Sequence, residues 1–295
     1  MMRSIVYDFI IVGSGISGNV CSYLLQKKGY KTIVLEKQLN RSEKVCGGGV
    51  SYKALQLLQG IGIDVSELKQ FDHKDIIGCQ QFFGNEVYEK IYKEENLSMG
   101  IQRRIFDEFL LKKAIAAGAE IAYDQFVHDI NVQNEYCFIH GYTGGDYVVA
   151  AGARGLHSTS IQGQSFGISA LIYGEASFSD NMFYYWFLGE DDSQYTWLFP
   201  VGDNLWNVGL WQRKPNNNIK DKFHIWMKKH LIPHFTHGYD YRMKLRGEFL
   251  GHIDQTKDGI HGVGDFAGKC NYRNGGGIIG AIQSAINFVE NLSKH

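Results

Sequence analysis

The sequence is poor in proline, in cysteine and in net charge. Its 295 residues include three prolines and five cysteines, and 30 basic side chains nearly balance 31 acidic ones. This balance offers no basic stripe for neutralising phosphates, so we predict no nucleic-acid partner. The cysteines stand singly, with no CxxC or Cys/His spacing typical of zinc, and the histidines show no such spacing either. We therefore predict reduced thiols and no metal site.

Long hydrophobic runs are also missing. No stretch approaches the roughly 20 apolar residues that cross a bilayer. The apolar run near the start is about six residues long, shorter than the roughly 7–15 of a signal peptide, and it leads directly into a glycine-rich turn. These absences predict a cytoplasmic protein and leave peripheral membrane contact open.

Glycine, in contrast, is abundant, and its first cluster is GSGISG, Gly13–Gly18. An apolar run typical of a buried strand precedes it, and a segment with Ile16 and Val20 at helical spacing follows. In such a turn Gly13 permits the bend, Gly15 lets backbone approach a pyrophosphate, and Gly18 allows close helix–strand packing. The cluster therefore predicts a dinucleotide-binding strand–turn–helix unit.

Glu36 ends the second predicted strand, IVLE, eighteen residues after Gly18. A carboxylate at this place accepts hydrogen bonds from the adenosine ribose hydroxyls and disfavours a 2′-phosphate. The unit thus suits FAD or NAD rather than NADP. A second glycine-rich element near the other end, Gly262–Gly268 and then Gly275–Gly277, favours FAD. This element would bring Asp265 to the ribityl chain of FAD and the glycine run to the flavin ring or the pyrophosphate. It favours FAD because an NAD-binding domain needs no such second element.

Four further segments resemble the geranylgeranyl reductase family of flavoproteins, which is itself similar to the aromatic hydroxylases. They are KVCGGGV from Lys44, the RxxFD helix start with Arg103, Phe106 and Asp107, YTWLFPVGDNLWNVG from Tyr195, and the GD…GGGI ending. Together they span essentially the whole chain. The resemblance implies that Arg103 lies near the FAD pyrophosphate and that the cysteine–glycine segment lies beside the flavin.

Two departures from the family bear on the substrate rather than on the flavin. Family members carry a further helical segment after the last helix, whereas this sequence stops at His295. The stretch VVAAGARG, Val148–Gly155, lacks the family's aspartate.

The aromatic residues concentrate between Phe178 and Trp226. Alternation along a strand places Tyr195, Trp197 and Phe199 on one face, and Trp211 on the matching face of the next strand. Two such strands build a flat apolar wall, which suits an apolar or planar substrate. The residues alone fit a packed core equally well. The resemblance to the reductase family implies that Tyr195, Trp197 and Phe199 line the substrate pocket, and Trp211 completes the predicted set.

The order of elements predicts an α/β fold: a Rossmann-like FAD-binding domain with a central parallel sheet, plus an inserted antiparallel β-rich substrate domain. We assign residues 1–70, 101–158 and 252–295 to the first domain and 71–100 and 159–251 to the second. A helix is predicted from Arg103 to Ala117, a strand at Ile260–Val263, and turns at Asn134 and at Gly144-Gly145. The residues predicted to bind FAD are Gly13, Gly15, Ile16, Ser17, Gly18, Glu36, Lys37, Lys44, Cys46, Gly47, Gly48, Arg103, Gly264, Asp265, Gly275, Gly276, Gly277 and Ile278.

The leading functional hypothesis is an FAD-dependent reductase that acts on a carbon–carbon double bond of a prenyl-like or other apolar substrate. Cys46 and Tyr195 are the candidate proton donors. The electron donor, NAD(P)H or a redox protein, is not identified by any motif. Two alternatives stay open: a flavin monooxygenase or oxidase acting on a small biosynthetic intermediate, and a flavin-binding protein without activity.

Overall fold

The computed structural model describes residues 6–39, 44–133, 136–150, 152, 163–188, 194–213, 218–236, 240–251, 261–271 and 274–292. The α-helices in these ranges are α1 (Ile16–Lys27), α2 (Tyr52–Gly60), α3 (Arg103–Ala116), α4 (Ile219–Trp226) and α5 (Ile278–Asn291). The strands are β1 (Val6–Val12), β2 (Thr32–Leu35), β3 (Gly49–Val50), β4 (His73–Ile76), β5 (Gly78–Phe83), β6 (Glu86–Ile91), β7 (Ser98–Ile101), β8 (Glu120–Ala122), β9 (Asn131–Gln133), β10 (Tyr136–Ile139), β11 (Tyr142–Val149), β12 (Gly163–Tyr173), β13 (Met182–Phe187), β14 (Gln194–Gly202), β15 (Leu205–Gln212), β16 (Asp240–Gly251) and β17 (His261–Gly262).

The first sheet has the strand order β8-β2-β1-β11-β10-β9, with β17 also paired to β11. Strands β8, β2, β1, β11 and β17 run parallel, whereas β9, β10 and β11 form an antiparallel meander. Strand β2 is buried along its whole length, as expected for a parallel strand covered on both faces. Helices α1, α3 and α5 share one core with this sheet, to which Ile11, Val20, Phe106 and Ile282 contribute. The predicted Rossmann-like domain is confirmed.

The second sheet has the order β16-β12-β15-β14-β13-β5-β6 and is antiparallel except where β13 pairs with β5. Its two faces carry different residues because side chains alternate along each strand. One face packs with Phe223 and Trp226 of α4. The other face carries Trp197 and Phe199 of β14 and Trp211 of β15. The predicted antiparallel β-rich part is thus present.

A small sheet of β3, β7 and β4 lies between the two larger ones. Strand β7 leads into α3, and its Gly100 packs against the backbone of β14: a Cβ added to Gly100 would lie 1.9 Å from the Pro200 carbonyl oxygen. The segment that carries Lys44 and Cys46 leads into β3. The small sheet therefore holds that segment next to the second sheet.

Most of the local predictions match the structure. Gly29 and Gly118 follow α1 and α3 with φ angles of 89° and 113°, as expected for glycines that end helices. The predicted turn at Gly144-Gly145 is wrong, because both residues lie inside β11. The turn is instead at His140 and Gly141, which have positive φ angles. The glycine at 144 allows close packing, since an added Cβ would lie 2.8 Å from Ile10 Cγ1.

Two predictions fall partly or wholly outside the described residues. The turn at Asn134 and residue Ile260 of the predicted last strand both lie there, and the described part of that strand is β17 alone. Within the described ranges, no helix has the length and apolar character needed to cross a membrane.

Candidate functional site

The first part of the site is the turn between β1 and α1. Gly13 has a φ angle of 101°, and a Cβ added to Gly18 would lie 2.0 Å from the Gly13 carbonyl oxygen, so both positions require glycine. A Cβ added to Gly15, in contrast, would meet no described atom within 4 Å. No side chain caps the start of α1. The backbone N–H groups of the first helical turn have no acceptor within the helix, the arrangement in which a helix N-terminus binds phosphate.

The Glu36 carboxylate stands beside this turn. Its Oε2 accepts a hydrogen bond of 3.0 Å from the Ser14 backbone N–H, and its Oε1 accepts one of 3.0 Å from Gln38. The carboxylate is thus held at the end of β2 with acceptor capacity left for hydroxyl donors. Lys37 is exposed, and its ammonium lies 5.8 Å from the centre of the Phe126 ring.

The C-terminal glycine segment packs directly against the start of α1. Gly264 has a φ angle of 65°, and a Cβ added to it would lie 2.4 Å from Ser17 Oγ. Its backbone N–H donates a 2.9 Å hydrogen bond to Ser284 Oγ on α5. The two ends of the sequence therefore meet at one place, with the glycine turn of β1–α1 on one side and Gly264-Asp265 on the other.

An ion pair ties the cysteine–glycine segment to the same place. Lys44 Nζ lies 3.2 Å from Asp265 Oδ2. The Lys44 ammonium lowers the pKa of the Asp265 carboxyl, and the carboxylate in turn raises the pKa of Lys44. Gly277 is next to this pair, because a Cβ added there would lie 3.2 Å from Asp265 Oδ1. Lys44, Asp265 and Gly277 are thus brought together from three separate segments.

Arg103 is a buried charge between these segments, with only 5% of its surface exposed. Its Nε and Nη2 donate hydrogen bonds of 3.0 to 3.1 Å to the Asp107 carboxylate one helical turn later. Burial disfavours the charged guanidinium, but Asp107 and the hydrogen-bonded thiol of Cys46 outweigh burial, so the pKa of Arg103 is raised. Asn19 joins this cluster to the glycine turn, because its Nδ2 donates to the carbonyl oxygens of Asp107 and Ser14.

The aromatic wall lies on the face of β14 and β15 that the alternation predicts. Tyr195 is central, with its ring centre 6.0 Å from that of Trp197 and 5.4 Å from that of Trp211. Trp197 Nε1 donates a 2.8 Å hydrogen bond to Asn207 Oδ1, which fixes the orientation of its indole. The wall continues toward β13 and β5, and its further members are Phe83, Phe183, Tyr185, Phe187 and Phe199.

The cysteine–glycine segment lies on this wall. A Cβ added to Gly47 would lie 2.5 Å from Phe199 Cδ2 and 3.0 Å from Trp197 Nε1. Gly48 has a φ angle of 76° and packs against the Ile101 carbonyl. The glycines that follow Cys46 are therefore required by contact with the wall and with β7. Cys46 itself is half-buried beside Arg103.

The turn before α5 closes the site at the other side of the wall. Tyr195 Oη donates a 2.7 Å hydrogen bond to the Asn274 carbonyl oxygen. Gly275 has a φ angle of 68° and packs against Trp211, since an added Cβ would lie 2.7 Å from Trp211 Nε1. The Asn274 side chain accepts from Gly276 N, and no side chain caps α5. Gly276, Gly277 and Ile278 thus form a second uncapped helix start, with Gly275 against the wall and Gly277 against Asp265.

The site also contains residues outside the predicted set, among them Asp107, Asn207 and Asn274. Asp107 could be inferred from its i, i+4 spacing to Arg103. Asn207 lies on the same predicted face as Trp211, so alternation was the signal available for it. Asn274 contributes a backbone carbonyl, for which a sequence carries no signal. Among the predicted site residues, only Lys37 makes its described contact away from the cluster.

Known proteins resemble this chain in sequence and in fold. Residues 11–54 match the family model of an NAD(P)-binding Rossmann-like domain. The chain is 26% identical over 310 residues to the digeranylgeranylglycerophospholipid reductase of Methanocaldococcus jannaschii. The aligned region covers 98% of this chain and 77% of that protein. The predicted resemblance to the geranylgeranyl reductase family is therefore confirmed.

The solved structures with the same fold include reductases and halogenases. A geranylgeranyl bacteriochlorophyll reductase-like protein from Thermoplasma acidophilum superposes with a TM-score of 0.81 at 19% identity, over 98% of this chain and 78% of that one. A point mutant of the halogenase PltM in complex with FAD has a TM-score of 0.73 at 14% identity, over 98% and 69% of the two chains. These likenesses show that the fold is the one used by these flavoproteins.

Proposed function

We propose that the protein is an FAD-dependent oxidoreductase that reduces a carbon–carbon double bond of an apolar, prenyl-like substrate. The observation that supports this proposal is the set of contacts that brings two uncapped helix starts and an aromatic wall together. The relatives add the substrate class, because they are named for the reduction of a digeranylgeranyl lipid.

The residues present fit an extended FAD molecule. Glu36 would accept hydrogen bonds from the adenosine ribose, and the uncapped start of α1, with open space at Gly15, would hold the pyrophosphate. Arg103 supplies a buried positive charge beside this region. The start of α5 at Gly275–Gly277 would meet the flavin ring, where the positive end of the helix dipole favours electron-rich atoms.

The wall explains why an apolar substrate suits the site. Its half-buried rings, Tyr185, Phe187 and Tyr195, offer dispersion contacts, whereas Trp197, Phe199 and Trp211 are buried behind them. The polar groups of Trp197 and Tyr195 already bond to Asn207 and to Asn274. A polar substrate would lose its hydration there without gaining partners. A hydrocarbon chain with isolated double bonds loses no hydrogen bonds on entering.

The chemistry divides between cofactor and protein. When bound, the flavin supplies a hydride to one carbon of the double bond. The protein excludes water, positions the substrate on the wall and supplies a proton to the other carbon. Tyr195 is the weaker candidate for that proton, because burial raises the pKa of its phenol and its O–H is engaged with Asn274. Cys46 is the better placed donor, between Arg103 and the glycine that touches the wall.

The test uses the protein loaded with FAD and reduced under anaerobic conditions. Addition of a geranylgeranyl lipid should restore the absorbance of oxidised flavin, and the lipid should gain two hydrogen atoms by mass spectrometry. The fully saturated analogue is the matched control and should leave the flavin reduced. If no unsaturated prenyl lipid reoxidises the flavin while molecular oxygen does, the proposal is wrong.

The likeness to flavin-dependent halogenases supports a second candidate, a monooxygenase or related oxygen-using enzyme. For that function, NAD(P)H oxidation would be coupled to oxygen consumption in the presence of a small substrate. Oxygen uptake that rises with the substrate, with no anaerobic reduction of prenyl lipids, would favour the second candidate over the first. The same assay tests NAD(P)H as the electron donor.

A further inference from the structure

Four aromatic side chains on the wall face of the second sheet stand in a row across neighbouring strands. Tyr195 of β14 lies opposite Phe187 of β13, and Phe187 lies opposite Phe83 of β5. The ring centres of Tyr195 and Phe187 are 5.8 Å apart, and the rings of Phe187 and Phe83 stack at 4.3 Å with 2° between their planes. Tyr88 of β6 extends the row, because its ring meets that of Phe83 edge-on at 5.6 Å. We call Tyr195, Phe187, Phe83 and Tyr88 the ring row.

The ring row becomes more exposed toward the edge of the sheet. Tyr195 and Phe187 are half-buried, Phe83 is 37% exposed and Tyr88 is 56% exposed. Strand β6 ends the described strand order of this sheet, so the outer end of the row reaches the surface. The inner end lies at the start of α5, where the Tyr195 hydroxyl bonds to the Asn274 carbonyl oxygen. A series of accessible rings therefore leads from the start of α5 to the outside.

Polar side chains flank the outer end of the ring row on the same face. Because side chains alternate, Glu86 and Lys90 share the face of Tyr88 on β6, and Gln81 shares the face of Phe83 on β5. The Tyr88 hydroxyl donates a 2.7 Å hydrogen bond to Glu86 Oε2. The apolar strip is thus one ring wide at this end. It fits a single hydrocarbon chain, and it is too narrow for a standard protein interface, which buries about 800 Å² on each partner.

The length of the ring row distinguishes between apolar chains. The row crosses β14, β13, β5 and β6, a distance of roughly 14 Å at the usual spacing of strands. An extended geranyl group covers only part of this distance, whereas an extended geranylgeranyl group covers all of it. A chain that reaches Tyr88 removes the exposed faces of Phe83 and Tyr88 from water, and this burial favours the longer chain.

We propose that the ring row binds the prenyl chain of the substrate and selects chains longer than a geranyl group. This inference rests on the proposed function and deepens it by naming the length class of the substrate. One part of the chain lies at Tyr195 beside the start of α5, and the rest follows Phe187 and Phe83 toward Tyr88. The polar head stays in water beyond Tyr88, because the hydroxyls of Tyr195 and Tyr88 already have partners.

The first test compares Phe83→Ala with Phe82→Ala. These neighbours on β5 each stack on a ring of β13, Phe83 on Phe187 and Phe82 on Trp186, but on opposite faces of the sheet. The ligand is phytanol, a saturated prenyl alcohol as long as geranylgeraniol, and its binding is measured by equilibrium dialysis with FAD present. We expect Phe83→Ala to weaken phytanol binding about 5- to 10-fold through the loss of one ring contact, and Phe82→Ala to stay within about twofold.

An exposed pair on β6 covers the case in which Phe83→Ala does not fold. Tyr88 and Val87 are 56% and 55% exposed and lie on opposite faces, so neither Tyr88→Ser nor Val87→Ser removes a core residue. Tyr88→Ser should weaken phytanol binding about three- to fivefold, and Val87→Ser should leave it unchanged. Tetrahydrogeraniol, the saturated shorter alcohol, does not reach Tyr88 from Tyr195, so Tyr88→Ser should leave its affinity unchanged.

Three results would overturn the inference. The first is a phytanol affinity that is unchanged in Phe83→Ala and Tyr88→Ser, or that falls equally in Phe82→Ala and Val87→Ser. The second is an equal loss for phytanol and tetrahydrogeraniol in Tyr88→Ser. The third is a concentration-dependent dimer in sedimentation that Tyr88→Ser abolishes without a change in phytanol affinity, since the row would then be an interface between two copies of the chain.

The failure of the proposed function gives a different result. Saturated alcohols cannot be reduced, so their binding reports on the ring row alone. Phytanol binding with the expected dependence on Phe83, together with no reduction of geranylgeraniol by the FAD-loaded protein, would reject the reaction and not the row. Reduction of geraniol and geranylgeraniol with equal kcat/KM would keep the reaction and overturn the selection of long chains.

Discussion

At the scale of single residues, the glycines of the first motif are required for different reasons. Gly18 is needed by the folded chain, since any side chain there would strike the Gly13 carbonyl. Gly15 has a φ angle of −78°, which any residue adopts, and a Cβ there would meet no described atom. The folded protein alone gives no reason for a glycine at 15, whereas a ligand in the space outside it does.

Gly15→Ala should therefore separate stability from binding. We expect the unfolding midpoint in urea to stay unchanged and FAD affinity to fall at least about tenfold, because the methyl group occupies the space of the pyrophosphate. Isothermal titration with FAD and urea unfolding measure the two effects.

Gly18→Ala is the matched control within the same motif. It should lower the free energy of unfolding by roughly 1–3 kcal/mol through overpacking. If Gly15→Ala destabilises the FAD-free protein as much as Gly18→Ala does, the space outside Gly15 is not a ligand site.

At the scale of elements, the short strand β17 carries the chain into Gly264 and Asp265. Both residues of β17 pair with β11, and a side-chain contact reinforces them: His261 Nε2 lies 3.0 Å from Asp146 Oδ2. The hydrogen bond to Asp146 is the main cause that raises the pKa of His261, and burial opposes it. The attachment of this strand to the sheet therefore depends on pH.

The direction of that dependence follows from the raised pKa. The His261–Asp146 pair stabilises the native state fully below about pH 6.5, which is the pKa of histidine in an unfolded chain. This stabilisation is lost as the pH rises through the higher pKa of His261 in the folded protein. Both side chains are more than one-third exposed, so we expect the pair to contribute only about 0.5 kcal/mol to the free energy of unfolding. Urea unfolding at pH 5.5 and pH 8.5 measures it as the difference between the wild type and Asp146→Asn.

Asp146→Asn is a matched variant because the amide oxygen can still accept from Tyr147 N, as the carboxylate does. The other histidines titrate in both proteins and cancel in the comparison. The same pH dependence in both proteins would show that the His261–Asp146 pair does not contribute.

At the scale of the whole molecule, the site joins segments that are far apart in the sequence. Gly264 packs on the glycine turn at Ser17, Lys44 pairs with Asp265, and Gly47 and Gly275 pack on the wall. A ligand that contacts all of them would link the two ends of the chain in the folded state only. Such a ligand stabilises the native state by mass action.

FAD should therefore raise the unfolding temperature in a concentration-dependent way. At a free concentration 100 times its Kd, the expected gain is about 2.7 kcal/mol. ADP and riboflavin each contact one end of the site, so each should give a smaller shift at equal concentration, measured by differential scanning fluorimetry. Equal shifts with FAD and ADP would mean that the flavin end of the site is not engaged.

Several parts of the fold were predictable because they depend on local physics. The turn at Gly13, the glycines after α1 and α3, and the alternation that puts Tyr195 and Trp197 on one face follow from backbone sterics and side-chain periodicity. Gly144-Gly145 misled the same reasoning. A glycine pair is typical of a turn, but here it lies in a strand where Ile10 and Cys137 crowd it from another part of the sheet.

The sequence by itself thus determined the elements, the nucleotide turn and the residue types of the wall, since each depends on neighbours a few positions away. Only the tertiary structure decided which segments touch: Gly47 against Phe199, Gly264 against Ser17, Lys44 beside Asp265, and Trp211 against Gly275. Such contacts arise from packing between segments separated by many residues, and no local pattern records which surfaces will meet.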